Sequence, residues 1–80
     1  MSRVRVEFTI EPFVDGQPGP HVEAGLAAVR GMGLDAEIGP FGTTIEGPVA
    51  SMAGAIHALL IDAVSAGATR VSIQATTVTG

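Results

Sequence analysis

The sequence predicts an α+β domain in which a four-stranded antiparallel sheet carries two helices on one face. Short segments alternate apolar and polar residues, as half-buried strands do, and two longer segments carry apolar residues at helical spacing. These segments follow one another in the order β-α-β-β-α-β. With 80 residues, the chain is predicted to form a single domain over residues 1–80, near the lower size limit for independent folding.

The first half of the chain contains two predicted strands and one predicted helix. Residues 4–10 alternate between apolar and polar side chains, which predicts the first strand. A loop rich in Gly and Pro ends at Pro20, which suits the first turn of a helix because it has no N–H to satisfy. Alternation resumes over residues 34–38 and predicts the second strand. The apolar stripe of the helix is predicted at Val22, Leu26 and Val29.

The second half repeats this pattern. A turn at residues 40–42 leads into a third strand at 43–46, and Gly47-Pro48 opens a second helix. The last strand begins at Arg70. This order folds most simply as two split β-α-β units in one sheet, the ferredoxin-like arrangement, and right-handed crossovers place both helices on one face. The predicted core positions of the second helix and last strand are Met52, Ile56, Leu59, Leu60, Ala63, Val71, Ile73 and Ala75.

Composition excludes several classes of partner. Lys+Arg 4 against Asp+Glu 8 gives a net charge of −4, and the arginines are scattered, so no basic face for nucleic acid is expected. There is no Cys, and His21 and His57 lack the spacing of metal ligands, so no metal is expected. No apolar run approaches the roughly 20 residues of a membrane span. We therefore expect a cytoplasmic domain with no membrane partner.

A three-residue repeat points to a candidate site. Thr9-Ile10-Glu11 recurs as Thr44-Ile45-Glu46, and each copy ends a predicted strand. We expect the first and third strands to be central neighbours that run in the same direction, with Glu11 and Glu46 side by side at the edge where such sheets bind ligands. Paired carboxylates suit a ligand with N–H donors or a positive charge. Alternatively, each glutamate only favours a helix N-terminus through the helix dipole.

The turn at residues 40–44, Pro-Phe-Gly-Thr-Thr, is a second candidate. Pro and Gly would form a turn there without any function. Phe41 either folds back over the core or offers a flat face to an aromatic ligand, with Thr43 and Thr44 as hydroxyl partners. On the polar face, Glu7 and Arg70 are expected to form a structural ion pair.

Three motifs carry a resemblance to a known family. They are Val-Glu-Phe-Thr-Ile-Glu-Pro at 6–12, Pro-Phe-Gly-Thr-Thr-Ile-Glu-Gly at 40–47 and Gly-Ala-Thr-Arg-Val at 67–71. With them the sequence resembles the thiamine-binding protein family, small ferredoxin-like domains of which some bind thiamine or its hydroxymethylpyrimidine portion. The resemblance implies a non-enzymatic vitamin-binding role, no cofactor other than thiamine as a ligand, and homo-oligomers. The family's motif positions are matched by Glu7, Gly42, Thr43 and Glu46.

Thiamine is chemically compatible with these residues. An aromatic such as Phe41 stacks on either ring, and a carboxylate such as Glu46 accepts from the pyrimidine amine or balances the thiazolium charge. The net charge of −4 favours a cation over a phosphate ester, so we expect free thiamine or its pyrimidine as the ligand. The predicted ligand-binding residues are Glu7, Glu11, Phe41, Gly42, Thr43, Thr44 and Glu46.

The last strand, residues 70–78, predicts an assembly. It is expected at the sheet edge with no Pro or Lys to block pairing, so we expect a homodimer or homotetramer through that edge and the open sheet face. A monomer is the alternative.

Two other function classes stay open. One is a structural or regulatory interaction domain with a vestigial site. The other is an enzyme acting on aromatic compounds, against which stands the absence of a paired base and nucleophile.

Overall fold

The computed structural model describes residues 2–12, 19–39 and 42–78. Over these residues it confirms the predicted α+β class and the order β-α-β-β-α-β. All strand pairs are antiparallel, in the order β2-β3-β1-β4, and both helices pack on one face of the sheet. The elements are β1 (Arg3–Glu11), α1 (Pro20–Arg30), β2 (Glu37–Gly39), β3 (Gly42–Pro48), α2 (Val49–Ser65) and β4 (Arg70–Val78).

The core lies between the sheet and the two helices. β1 and β3 contribute buried apolar side chains, and β4 contributes the partly buried Val71 and Ile73. Full burial of one large apolar side chain contributes about 1.5–3 kcal/mol. Gly25 of α1 lets the helices and the sheet approach closely, since a Cβ there would lie 2.4 Å from Ile10 Cδ1 and 2.9 Å from Leu59 Cδ1. The buried core consists of Val6, Phe8, Ile10, Val29, Ile45, Met52, Ala55, Leu59 and Ala63.

The strand directions correct one prediction. β1 and β3 are central neighbours, as expected, but they run antiparallel, with Arg5 opposite Glu46. Glu11 lies six residues farther along β1, opposite Arg70 of β4, which places it about 20 Å from the Arg5 position at about 3.3 Å per residue. The side-by-side placement of Glu11 and Glu46 was therefore wrong. β3 pairs antiparallel with both of its neighbours, β1 and β2, so its carboxyl end lies at the opposite edge of the sheet from that of β1.

Several core assignments also differ from the prediction. Leu60 and Ala75 were expected inside but are exposed, and Ala55 is fully buried instead. β2 covers only Glu37–Gly39, and its Ile38 is 63% exposed. Helical spacing alone leaves open which of two adjacent positions, such as Leu59 and Leu60, points at the sheet. The rotation of α2 about its own axis decides it.

Candidate binding site on the open face of the sheet

The sheet face that carries no helix, the open face, displays the polar members of the strand alternation in cross-strand rows. In the first row, here called the Glu7 row, Glu7 lies opposite Thr44 of β3 on one side and opposite Gln74 of β4 on the other. In the next row, the Thr9 row, Thr9 lies opposite Ser72. Adjacent strands are about 4.8 Å apart, so side chains within a row are neighbours.

A cavity of about 480 Å³ lies over these two rows. This volume is within the range of about 300–1,000 Å³ typical of small-molecule sites. Hydroxyl, amide and carboxylate groups line the cavity, so it offers both donors and acceptors. Its polar and glycine lining residues include Glu7, Thr9, Gly42, Thr44, Ser72 and Gln74.

Gly42 shapes the cavity at the start of β3. Its φ is +155°, and a Cβ there would lie 2.9 Å from the Phe8 carbonyl oxygen and 3.1 Å from Thr9 Cγ2. A backbone oxygen cannot move aside as the end of a side chain can. Only glycine therefore lets β3 begin this close to β1.

Two groups of charged side chains flank the cavity. In the row before Glu7, Glu46 Oε1 lies 3.2 Å from Arg5 Nε, and Glu46 Oε2 lies 3.8 Å from Arg3 Nη2. Beyond the Thr9 row, Glu11 Oε2 lies 3.6 Å from Arg70 Nε. Each of these two carboxylates is therefore balanced by arginine.

Glu7 differs from both flanking carboxylates. The expected pair between Glu7 and Arg70 was wrong, because Glu7 lies opposite Gln74 while Arg70 pairs with Glu11. Within residues 2–12, 19–39 and 42–78, Glu7 forms no ion pair. The cavity thus contains a carboxylate whose charge is not balanced by a neighbouring described residue.

The seven predicted ligand-binding residues separate into groups. Glu7, Gly42 and Thr44 line the cavity, whereas Glu11 and Glu46 lie on the open face outside its lining. Thr43 lies opposite the buried Phe8, on the side of the sheet that the helices cover. Phe41 lies outside the described residues.

Besides Phe8, Gly39 and Ile73, which also line the cavity, sequence reasoning missed three polar lining residues: Thr9, Ser72 and Gln74. All three are polar alternates of the strands, which was visible in the sequence. Their gathering around Glu7 depends on the register between β1 and β4, which local alternation does not contain.

Two classes of site find no support in the described part of the chain. No group of three or more His, Cys, Asp or Glu side chains there is placed to hold a metal ion. None of the helices described is long and apolar enough to cross a bilayer.

Comparison with known proteins gives one family and several similar structures. The family model described as "Thiamine-binding protein" matches residues 6–77. No curated protein matches the chain.

The similar structures share the fold at low sequence identity. A Bacillus cereus domain of unknown function is 22% identical, with a TM-score of 0.70, over 99% of this chain and 78% of that one. A Thermotoga maritima protein with a suggested role in thiamine biosynthesis or salvage is 24% identical, with a TM-score of 0.68, over 94% of this chain and 81% of that one. A Streptococcus pneumoniae protein is 18% identical, with a TM-score of 0.70, over 100% and 88%.

Proposed function

The chain belongs to the thiamine-binding protein family, and on that premise we propose that it binds thiamine, or the hydroxymethylpyrimidine portion of thiamine, in the cavity on the open face. In this proposal the protein binds its ligand without catalysing a reaction. The observation that carries it is the Glu7 carboxylate, which lines a cavity with both polar and apolar walls and has no cationic partner among the described residues.

The ligand's chemistry matches this arrangement. Thiamine carries an amino group on its pyrimidine and a permanent positive charge on its thiazolium, and both favour a carboxylate acceptor. Glu46 and Glu11 already have arginine partners, so Glu7 is the carboxylate that gains most from a cationic or N–H-bearing ligand. The net charge of −4 favours free thiamine over its phosphate esters.

The predicted residues take different places in this proposal. Glu7, Gly42 and Thr44 form the centre of the site, and Glu11 and Glu46 flank it. The ligand contacts predicted for Phe41 and Thr43 stay predictions, as does the cytoplasmic location.

A thermal melt with added ligand tests the proposal. A ligand at 100 times its Kd adds about 2.7 kcal/mol to stability, and each kcal/mol raises the Tm of a domain this small by about 4–8 °C. We expect a rise with thiamine and with hydroxymethylpyrimidine, and a smaller rise with thiamine diphosphate. No rise with any of the three would contradict the proposal.

A matched pair of variants locates the site. Glu7→Gln and Glu46→Gln each remove one negative charge from the open face, in adjacent rows, so the change in net charge is the same for both. We expect Glu7→Gln to raise the Kd for thiamine about tenfold or more, since hydrogen bonds to charged groups contribute about 1.5–3 kcal/mol. Glu46→Gln is expected to change the Kd for thiamine less than threefold. If calorimetry shows that both variants lose the same affinity for thiamine, Glu7 is not the specific hydrogen-bond acceptor for the ligand.

A structural or regulatory interaction domain is the second candidate function. The observation that favours it is the outer surface of α2, where Ile61 is 52% and Val64 56% exposed. If the ligand site is vestigial, none of the three ligands will stabilise the protein.

We also propose that the chain forms a homodimer or homotetramer. β4 is an edge strand of nine residues without Pro or Lys, and unprotected edges pair with other chains. Its residues Ser72 and Gln74 line the cavity, so a partner strand there would extend the cavity's outer side. Sedimentation velocity at micromolar concentration is expected to show a species larger than the 8.0 kDa chain. A single species of that mass would contradict the assembly.

A further inference from the structure

We propose that Gln74 acts with Glu7 to recognise the amino-substituted edge of the pyrimidine ring, so that this pair distinguishes an amino from an oxo substituent. The inference rests on the proposed function, and it assigns the discrimination between related ligands to two residues on adjacent strands.

The register places the two side chains together. Gln74 of β4 is the direct cross-strand partner of Glu7 of β1, and both residues line the cavity. Directly opposed residues on one face of an antiparallel pair have Cβ atoms about 4.5–5.5 Å apart. A planar ring with two adjacent polar atoms along one edge can therefore contact both side chains at once.

The two side chains offer complementary groups. An ionised Glu7 only accepts hydrogen bonds, while the Gln74 amide also donates. The edge of a 4-aminopyrimidine presents an amino donor beside a ring-nitrogen acceptor. The amino group donates to Glu7, and the ring nitrogen accepts from the Gln74 amide. The same amino and ring-nitrogen pattern is what makes glutamine a partner of adenine in DNA recognition.

An oxo substituent breaks this match. In the same position, its oxygen lies against the Glu7 carboxylate, and two acceptors without a proton between them repel each other. The adjacent ring nitrogen then carries a hydrogen, so Gln74 can no longer donate to it and bonds to it only by turning its amide oxygen towards the ring. Sites that depend on hydrogen bonds reject analogues that leave a polar group unpaired.

The test compares thiamine with oxythiamine, which keeps the thiazolium and carries oxygen in place of the amino group. Calorimetry is expected to show that the unaltered protein binds thiamine at least about tenfold more tightly, since a matched bidentate contact discriminates by about that factor or more. Gln74→Met keeps a side chain of similar length and removes the amide. It is expected to raise the Kd for thiamine about tenfold and the Kd for oxythiamine by a smaller factor. The ratio of the two Kd values is therefore expected to fall.

Thr76→Val is the matched control. Thr76 lies on the same face of β4, one row from Gln74 and opposite Arg5, and it is not among the cavity-lining residues. Its substitution is expected to leave both Kd values within about twofold. Melts of the unliganded variants show whether each one folds.

Three outcomes overturn the inference in distinguishable ways. Equal affinity of the unaltered protein for thiamine and oxythiamine contradicts recognition of the amino edge, and the proposed function survives. If Gln74→Met keeps the ratio of the two Kd values of the unaltered protein, the role of Gln74 is contradicted, whereas that of Glu7 is not. If neither compound binds, the proposed function fails together with the inference.

Discussion

On the helix-covered face of the sheet, Val6, Phe8 and Ile45 are at most 3% exposed, whereas on the open face Arg5, Glu7 and Glu46 are exposed in or beside the cavity. Both sets of residues come from the same strands, and they alternate along them. One face contributes buried apolar area, and the other contributes charge and hydrogen-bonding groups.

Under the proposed function, this difference separates residues for stability from residues for ligand binding along β1 and β3. Removal of atoms from the covered face leaves a cavity in a close-packed core and costs stability. Substitution of a polar group on the open face changes ion pairs that water screens, and these contribute about 0–1 kcal/mol each. Substitutions on the covered face are therefore expected to change folding, and most of those on the open face to change binding.

The largest expected effect is on the covered face. Leu59→Ala, at a position with 0% exposure, should lower the free energy of unfolding by about 2–5 kcal/mol. Leu60→Ala on the same helix is the control. Leu60 is 39% exposed, and its loss should cost much less than that of Leu59. Urea denaturation of both variants measures the difference, and similar costs would mean that α2 is rotated from the orientation described.

A second pair of variants compares two helical glycines. Gly25→Ala should cost about 1–3 kcal/mol through overpacking, because the new Cβ would lie 2.4 Å from Ile10 Cδ1. Gly54→Ala should be neutral or stabilising by up to about 1 kcal/mol, since alanine is the better helix former. Its nearest atom is the flexible Met32 Cε at 3.2 Å. Greater stability of Gly25→Ala than Gly54→Ala in thermal melts would contradict the packing of α1 on the sheet.

Gly42→Ala tests the one open-face position where stability and binding are expected to coincide. The positive φ and the 2.9 Å approach to the Phe8 carbonyl oxygen should cost about 1–3 kcal/mol and also weaken ligand binding. Gly39→Ala, whose Cβ would be at an ordinary contact distance of 3.5 Å from the Gly42 oxygen, should cost less stability, although Gly39 also lines the cavity. Denaturation and calorimetry on both proteins measure these effects. Loss of stability without loss of binding would remove Gly42 from the proposed site.

The smallest expected effect concerns the ion pairs. A double-mutant cycle between Arg5→Met and Glu46→Gln should give a coupling of about 0.2–1 kcal/mol, because both side chains are partly exposed. Added salt should reduce it, since charges near the surface are screened. A coupling that is larger than this and independent of salt would contradict the exposure of this ion pair in solution.

Local pattern was enough to predict the fold class and most of the core. The residues buried as expected are Val6, Phe8 and Ile10 on β1 and Met52, Leu59 and Ala63 on α2. The apolar period, different in a strand and in a helix, directly gives the face on which each side chain lies. The candidate site was predicted less well. Glu7, Gly42 and Thr44 line the cavity, but the expected meeting of Glu11 and Glu46 does not occur.

The sequence by itself determined which side chains of each strand are apolar and which are polar, because that property depends only on a residue and its immediate neighbours. Only the tertiary structure decided that Gln74 lies beside Glu7, that Arg5 balances Glu46 and that Arg70 balances Glu11. These neighbours are 41 to 67 positions apart in the chain. Their meeting depends on strand direction and register, which result from the packing of the whole sheet against its helices.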